Sequence, residues 1–143
     1  MGRPSLATRT PPALRRWPLV GVLAALAVAA QLWGLYRVTG SPSPPWFPYA
    51  DKVQHLVGFA LPVLLVLLAG ALRAAEHGRR LGRAVVGAVV GLFTVHAVVS
   101  ELVQGACYAS RAGDPLDVLA DVVGVALGLA AFGLVSGGAR DRA

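Results

Sequence analysis

Charge is scarce in this chain and cysteine is almost absent. Only 14% of its 143 residues are charged while 56% are apolar, with a mean hydropathy of +0.65. That leaves too little polar surface to coat a water-soluble domain, and the apolar content likewise excludes disorder and collagen. The lone Cys107 can form no internal bridge, so a disulfide scaffold is excluded and cysteine usage implies nothing about redox compartment. Lysine is nearly missing as well: Lys52 is the one non-arginine among 13 basic residues. With abundant Ala, Gly, Leu and Val, that bias is the one expected of a GC-rich bacterial genome, and it makes Lys52 conspicuous. No H-E-x-x-H, no G-x-S-x-G elbow and no Walker loop occurs, so the chain carries no established catalytic motif.

What is present is apolar sequence in long runs. A helix needs roughly 20 residues to cross about 30 Å of hydrocarbon, and residues 19–36, 53–72, 84–103 and 118–135 meet that length. The expected class is all-α, a bundle of four spanning helices, because a backbone in lipid must satisfy its own hydrogen bonds. Residues 1–16 form a basic tail, 17–136 the membrane domain and 137–143 a short C-terminal tail. Arg15-Arg16, the run that follows and Ala27-Val28-Ala29-Ala30 imitate a secretory signal. The run continues through Leu32, Trp33 and Leu35, beyond the usual ~7 to 15 residue signal core, which favours a retained helix.

Orientation follows from the bases. With a cytoplasmic N-terminus, ten basic residues lie inside and only Arg37, Lys52 and Arg111 outside, which predicts cytoplasmic termini. Topology and contact with anionic lipid account for the basic loops, so nucleic-acid binding is not expected. The acids divide the other way, with Asp51, Glu101, Asp114, Asp117 and Asp121 on the outer side.

These outer polar residues form a pattern. Asp51, Lys52 and His55 open the second span at spacings of three and four, Glu101 and Gln104 sit one turn apart near the end of the third, and Asp114, Asp117, Asp121, Gly124 and Gly128 draw one stripe along the fourth. Capping accounts for part of it. Asp51 and Asp114 read as N-caps, Pro115 as a first helical residue, Asp117 as a first-turn acid and Gln104-Gly105 as a helix end. Gly124 and Gly128, four apart, read as a close helix contact in lipid. Pro62 withdraws a hydrogen bond from the Gly58 carbonyl one turn below the polar residues.

Capping does not account for His55, Glu101 or Asp121. A carboxylate at mid-bilayer costs at least about 2.5–3.5 kcal/mol and turns to a partner or a wet cavity. The spacing therefore predicts one outward-facing polar site built from Asp51, Lys52, His55, Glu101, Gln104, Arg111, Asp114, Asp117 and Asp121, with a structural knot of ion pairs as the competing reading. A metal at His55, Glu101 and Asp121 is conceivable, but three scattered candidate ligands are a weak signal, so neither a metal nor another cofactor is expected. An intramembrane acid–base site using Glu101 or Asp121 with His55 is chemically open. Trp46, Phe47 and Tyr49 read as an interfacial belt that could also floor a site for an amphiphile.

The order D-K-x-x-H at Asp51, Lys52 and His55, E-x-x-Q at Glu101 and Gln104, then Arg111, Gly113-Asp114, Asp117 and a helix rich in small residues resembles the VanZ-like family over roughly residues 17–136. Many members carry Asn near Asp121, where this chain has an acid. The family is named for a glycopeptide-resistance accessory protein linked to low-level teicoplanin resistance, and the resemblance supplies no mechanism. It implies a bacterial cytoplasmic-membrane protein. Its expected partners are membrane lipids and an amphiphilic envelope component such as a lipid-linked wall precursor or a lipoglycopeptide. The alternatives are an intramembrane hydrolase or transferase acting on an envelope lipid, or a purely structural membrane protein.

Overall fold

The computed structural model describes residues 16–37, 47–108 and 113–138. Four helices follow one another there: α1 (Arg16–Tyr36), α2 (Ala50–Glu76), α3 (Arg83–Cys107) and α4 (Pro115–Gly138). The shortest has 21 residues and the longest 27, which at about 1.5 Å per residue spans at least about 30 Å. All four are long and apolar enough to cross a membrane, and no strand occurs among the described residues. The chain is an all-α, multi-pass membrane protein.

Each helix runs past its apolar stretch, because hydropathy registers only the lipid-facing middle and the polar ends stay helical. Two local expectations change as a result. Asp51 is no N-cap: α2 starts at Ala50 behind Tyr49, whose φ of 63° makes the turn, and the Asp51 side chain turns to Lys52. Nor does α3 stop at Gln104-Gly105, since it continues to Cys107. Asp114 does cap α4, its Oδ1 accepting the Leu116 N–H at 2.9 Å with Pro115 as the first helical residue. Pro62 is fully buried inside an unbroken α2.

Polarity is inverted relative to a soluble bundle. Leu134 is 79% exposed and Trp33, Leu92 and Leu102 lie bare on the outside, while Ser100, Glu101, Gln104, Asp117 and Asp121 are buried. That distribution suits a hydrocarbon solvent. The apolar core, Phe59, Val63, Leu67, Phe93, Ala97 and Val125, occupies the middle of the bundle. Helix α2 is central, packing most extensively on α4 and then on α1, while the backbones of α1 and α4 make no close approach among the described residues.

Since α2 and α4 start at the same end, they run parallel, and their register repeats. Lys52 meets Asp117 and His55 meets Asp121. One and two turns further, Gly124 lies on Leu56 and Phe59, and Gly128 on Ala60 and Val63. A Cβ at 124 would run into the Leu56 carbonyl, and one at 128 would come within 2.5 Å of the Ala60 carbonyl. The two glycines thus let the backbones approach as small residues do in lipid, and that closeness sets the reach between the polar side chains above them. At the opposite end, the Arg73 guanidinium of α2 stands 5.4 Å over the Trp17 ring of α1.

Candidate functional site

The end where α1 and α3 finish and α2 and α4 begin collects the polar residues in two linked groups. Lys52 centres the first. Its Nζ is 3.1 Å from Asp51 Oδ2 and 2.5 Å from both Asp114 Oδ2 and Asp117 Oδ1, so one ammonium faces three carboxylates from two helices. That charge holds the Asp114 carboxyl below the usual carboxylate range, and the link is lost only as pH falls through the lowered value.

His55 centres the second group, one turn deeper. Its Nδ1 shares a hydrogen bond with Asp121 Oδ1 at 2.9 Å and lies 3.9 Å from Glu101 Oε1, while Nε2 lies 3.9 Å from Asp117 Oδ2. Asp117 therefore joins the two groups. Glu101 is fixed by the Asp114 N–H, which donates to its Oε2 at 3.1 Å. This bond depends on the chain folding back over the last turns of α3. A Cβ on Gly113 would come within 3.1 Å of the Glu101 carbonyl, and one on Gly105 within 3.2 Å of the Gly113 nitrogen. Glycine at both positions thus suits the close approach that brings Asp114 to Glu101.

Exposure grades from the end of the bundle inward. The side chains are 60% exposed at Asp51, 38% at Asp114, 19% at Lys52, 13% at His55 and 0% at Asp121. Water and a polar ligand can reach Lys52, whereas Asp121 is sealed among α2, α3 and α4. Two buried oxygens, Glu101 Oε1 and Asp121 Oδ2, have no hydrogen-bond partner among the described residues.

Of the residues singled out from sequence, Asp51, Lys52, His55, Glu101, Asp114, Asp117 and Asp121 come together. Gln104 does not join them: its Nε2 donates to the Leu35 carbonyl at 3.1 Å and ties α3 to the end of α1. Arg111 and Trp46 lie outside the described residues. Phe47 and Tyr49 are exposed beside the start of α2. Sequence reasoning missed Tyr108, whose hydroxyl donates to the Tyr36 carbonyl at 2.7 Å and so supports the same α1 terminus as Gln104. It also missed Gln31, buried in α1 without a hydrogen-bond partner for its amide among the described residues. The signal for Gln31 was its place as a lone polar residue inside an apolar run.

His96 contributes rings rather than ligands. It stacks at 5.9 Å from Tyr36 and 5.7 Å from Phe59, below the carboxylates. Away from the cluster, apolar grooves of about 490 and 470 Å³ share Ala29 and Leu32 and follow α1 toward Arg37, hence toward the polar end. No protein-family model, curated protein or solved structure matches this chain.

Proposed function

We propose that the chain is a VanZ-like protein of a bacterial cytoplasmic membrane, with both termini cytoplasmic, that recognises the polar head of an amphiphilic envelope component at the outer leaflet. The observation carrying this reading is the graded cluster itself, in which Lys52, Asp51 and Asp114 sit at the water edge and Asp117, His55, Glu101 and Asp121 lie beneath them. A head group needs charged hydrogen-bonding partners, and its tail needs an apolar surface next to them. The exposed Phe47 and Tyr49 beside the start of α2 supply the second requirement. A lipid-linked wall precursor and a teicoplanin-type lipoglycopeptide both have this two-part character, and contribution to teicoplanin tolerance is the phenotype that follows.

The orientation rests on the ten-to-three division of basic residues. Cys107, exposed at the polar end, is expected to react with a membrane-impermeant thiol reagent in intact protoplasts. A Glu76→Cys variant on a Cys107→Ser background is expected to react only after the membrane is opened. The reverse pattern would place the polar cluster in the cytoplasm and defeat the outer-leaflet reading.

A second reading has its own observation. The His55–Asp121 bond holds the ring from behind and leaves Nε2 toward the accessible side, the arrangement of an oriented general base. This would suit an intramembrane hydrolase or transferase acting on an envelope lipid. One variant series separates the two. Wild type, Glu101→Gln, Asp117→Asn and His55→Ala are expressed at matched membrane levels, and teicoplanin susceptibility, vancomycin susceptibility and the envelope lipid profile are measured. Recognition is expected to give selective loss of teicoplanin tolerance in the variants with no new lipid. Catalysis is expected to give a lipid that accumulates when Glu101 or His55 is changed. Unchanged drug response and lipids for wild type itself would defeat both.

A further inference from the structure

We infer that His55, Glu101 and Asp121 form a binding site for a divalent transition-metal cation, of the kind Zn²⁺ or Mn²⁺ represents. One donor atom from each lies within 4.8 Å of the other two, on three different helices, and all three side chains are buried or nearly so. Ligands at about 2.0–2.2 Å in tetrahedral geometry on a common zinc stand about 3.3–3.6 Å apart, and His55 Nδ1 lies 2.9 Å from Asp121 Oδ1 and 3.9 Å from Glu101 Oε1. Side-chain rotation that moves the widest-spaced donors by about an ångström brings all three onto one ion.

Two independent features point to a cation there. Glu101 Oε1 and Asp121 Oδ2 are buried carboxylate oxygens without a hydrogen-bond donor among the described residues, and both belong to the proposed ligands. A buried acceptor left so is costly, the more when it carries charge. Charge balance is the second. Five carboxylates, those of Asp51, Glu101, Asp114, Asp117 and Asp121, gather around Lys52 and His55. Even with His55 protonated, two cations face these five anions among the described residues. Lys52 is committed to Asp51, Asp114 and Asp117, which leaves His55 as the cationic group facing Glu101 and Asp121 among the described residues. A divalent ion on a neutral His55 balances the two carboxylates of Glu101 and Asp121.

The surroundings suit ligation. A metal-bound histidine commonly donates its other ring N–H to a carboxylate, which fixes its tautomer. With Nδ1 on the metal, Nε2–H of His55 faces Asp117 Oδ2, and Asp117 is itself held by Lys52. Glu101 is oriented by the Asp114 N–H on its Oε2, which leaves Oε1 free as the ligand. One imidazole and two carboxylates are a donor set for Zn²⁺ or Mn²⁺ rather than for a soft thiophilic metal. The protein supplies three donors, so a bound ion keeps a coordination position for water or an oxyanion.

The site stands on side-chain geometry alone and is tested without lipid or antibiotic, so its failure leaves the head-group reading intact. The tag-free protein, in detergent or nanodiscs, is stripped with a chelator, titrated with ZnCl₂ or MnCl₂, desalted and assayed for metal. About one equivalent per chain is expected in the wild type, with X-ray absorption showing nitrogen and oxygen neighbours only and a single imidazole. Asp121→Asn and Glu101→Gln are expected to lose the metal, and Asp117→Asn to weaken affinity by about 10- to 100-fold. His77→Ala, which alters an exposed histidine in the α2–α3 connection, is expected to retain it. Wild-type protein that keeps no metal would overturn the inference in favour of a proton shared between the two acids. So would full retention by the folded Asp121→Asn and Glu101→Gln variants, or a spectrum without imidazole. The wild-type stoichiometry and spectrum decide the question even if a variant fails to fold.

Discussion

Replacing Lys52 with Met is expected to destabilise the bundle by about 3 kcal/mol, the lower end of the range for breaking a buried ion pair, because Lys52 keeps about a fifth of its side-chain exposure. The substitution preserves the stem and removes the ammonium. Asp114 and Asp117 then face each other with no cation, and like charges at that distance repel. A second change tests the cause. Lys52→Met combined with Asp117→Asn is expected to recover much of the loss, since it removes the deeper of the stranded charges. Thermal or denaturant unfolding in a fixed detergent measures both, and equal stability of the single and double variants would show that Lys52 acts through packing alone. The exposed Asp51 is the contrast: as a rim partner of Lys52 it is worth at most about 1 kcal/mol.

The second large effect concerns His55 and Asp121. His55→Leu is expected to cost about 3–5 kcal/mol, because it leaves a fully buried carboxylate without its donor. The double variant His55→Leu, Asp121→Leu is expected to regain most or all of that stability, since a buried ionic pair exchanged for apolar residues of similar volume is often neutral or better. It is also expected to lose teicoplanin tolerance and metal retention. This pair of outcomes separates a functional site from a structural knot. A cluster whose only task is to lock α2 to α4 would be replaceable by leucine without any phenotype. Unfolding in detergent, with expression level as a second readout, checks the stability arm.

The membrane architecture was legible from sequence because lipid leaves the backbone few options. Runs such as 53–72 and 118–135 had to be helices, and alternation forced their polar ends into two sets. The depth of Asp121 and Glu101 was legible for the same reason, as charges inside runs with no capping duty. Pairing was not. Asp51, Asp114, Asp117, Asp121 and Glu101 are chemically alike in one dimension, and whether Lys52 or His55 meets each depends on the α2–α4 register. That register is set by close contacts at Gly124 and Gly128. Those glycines were read as a helix contact, but nothing local named Leu56, Phe59, Ala60 and Val63 as the opposite face.

Local signals failed where tertiary partners overrode them. Gln104-Gly105 has the look of a helix end, yet the α3 hydrogen bonds continue to Cys107, with Gln104 spent on the Leu35 carbonyl and Gly105 needed for the close pass of Gly113. Asp51 has the look of a cap, yet an ammonium one residue away outcompetes a backbone N–H. The metal-ligand candidates showed no spacing because each lies on a different helix, and only the fold brings their donors within 4.8 Å.

The most direct measurement of the central claim is the teicoplanin response, relative to vancomycin, of cells carrying the wild type or the His55→Leu, Asp121→Leu variant at equal membrane levels. The expected result is that wild type raises tolerance to teicoplanin selectively and that the folded double variant matches cells without the protein. A stable double variant that protects as well as wild type would contradict the account, leaving the buried cluster a device for holding helices together.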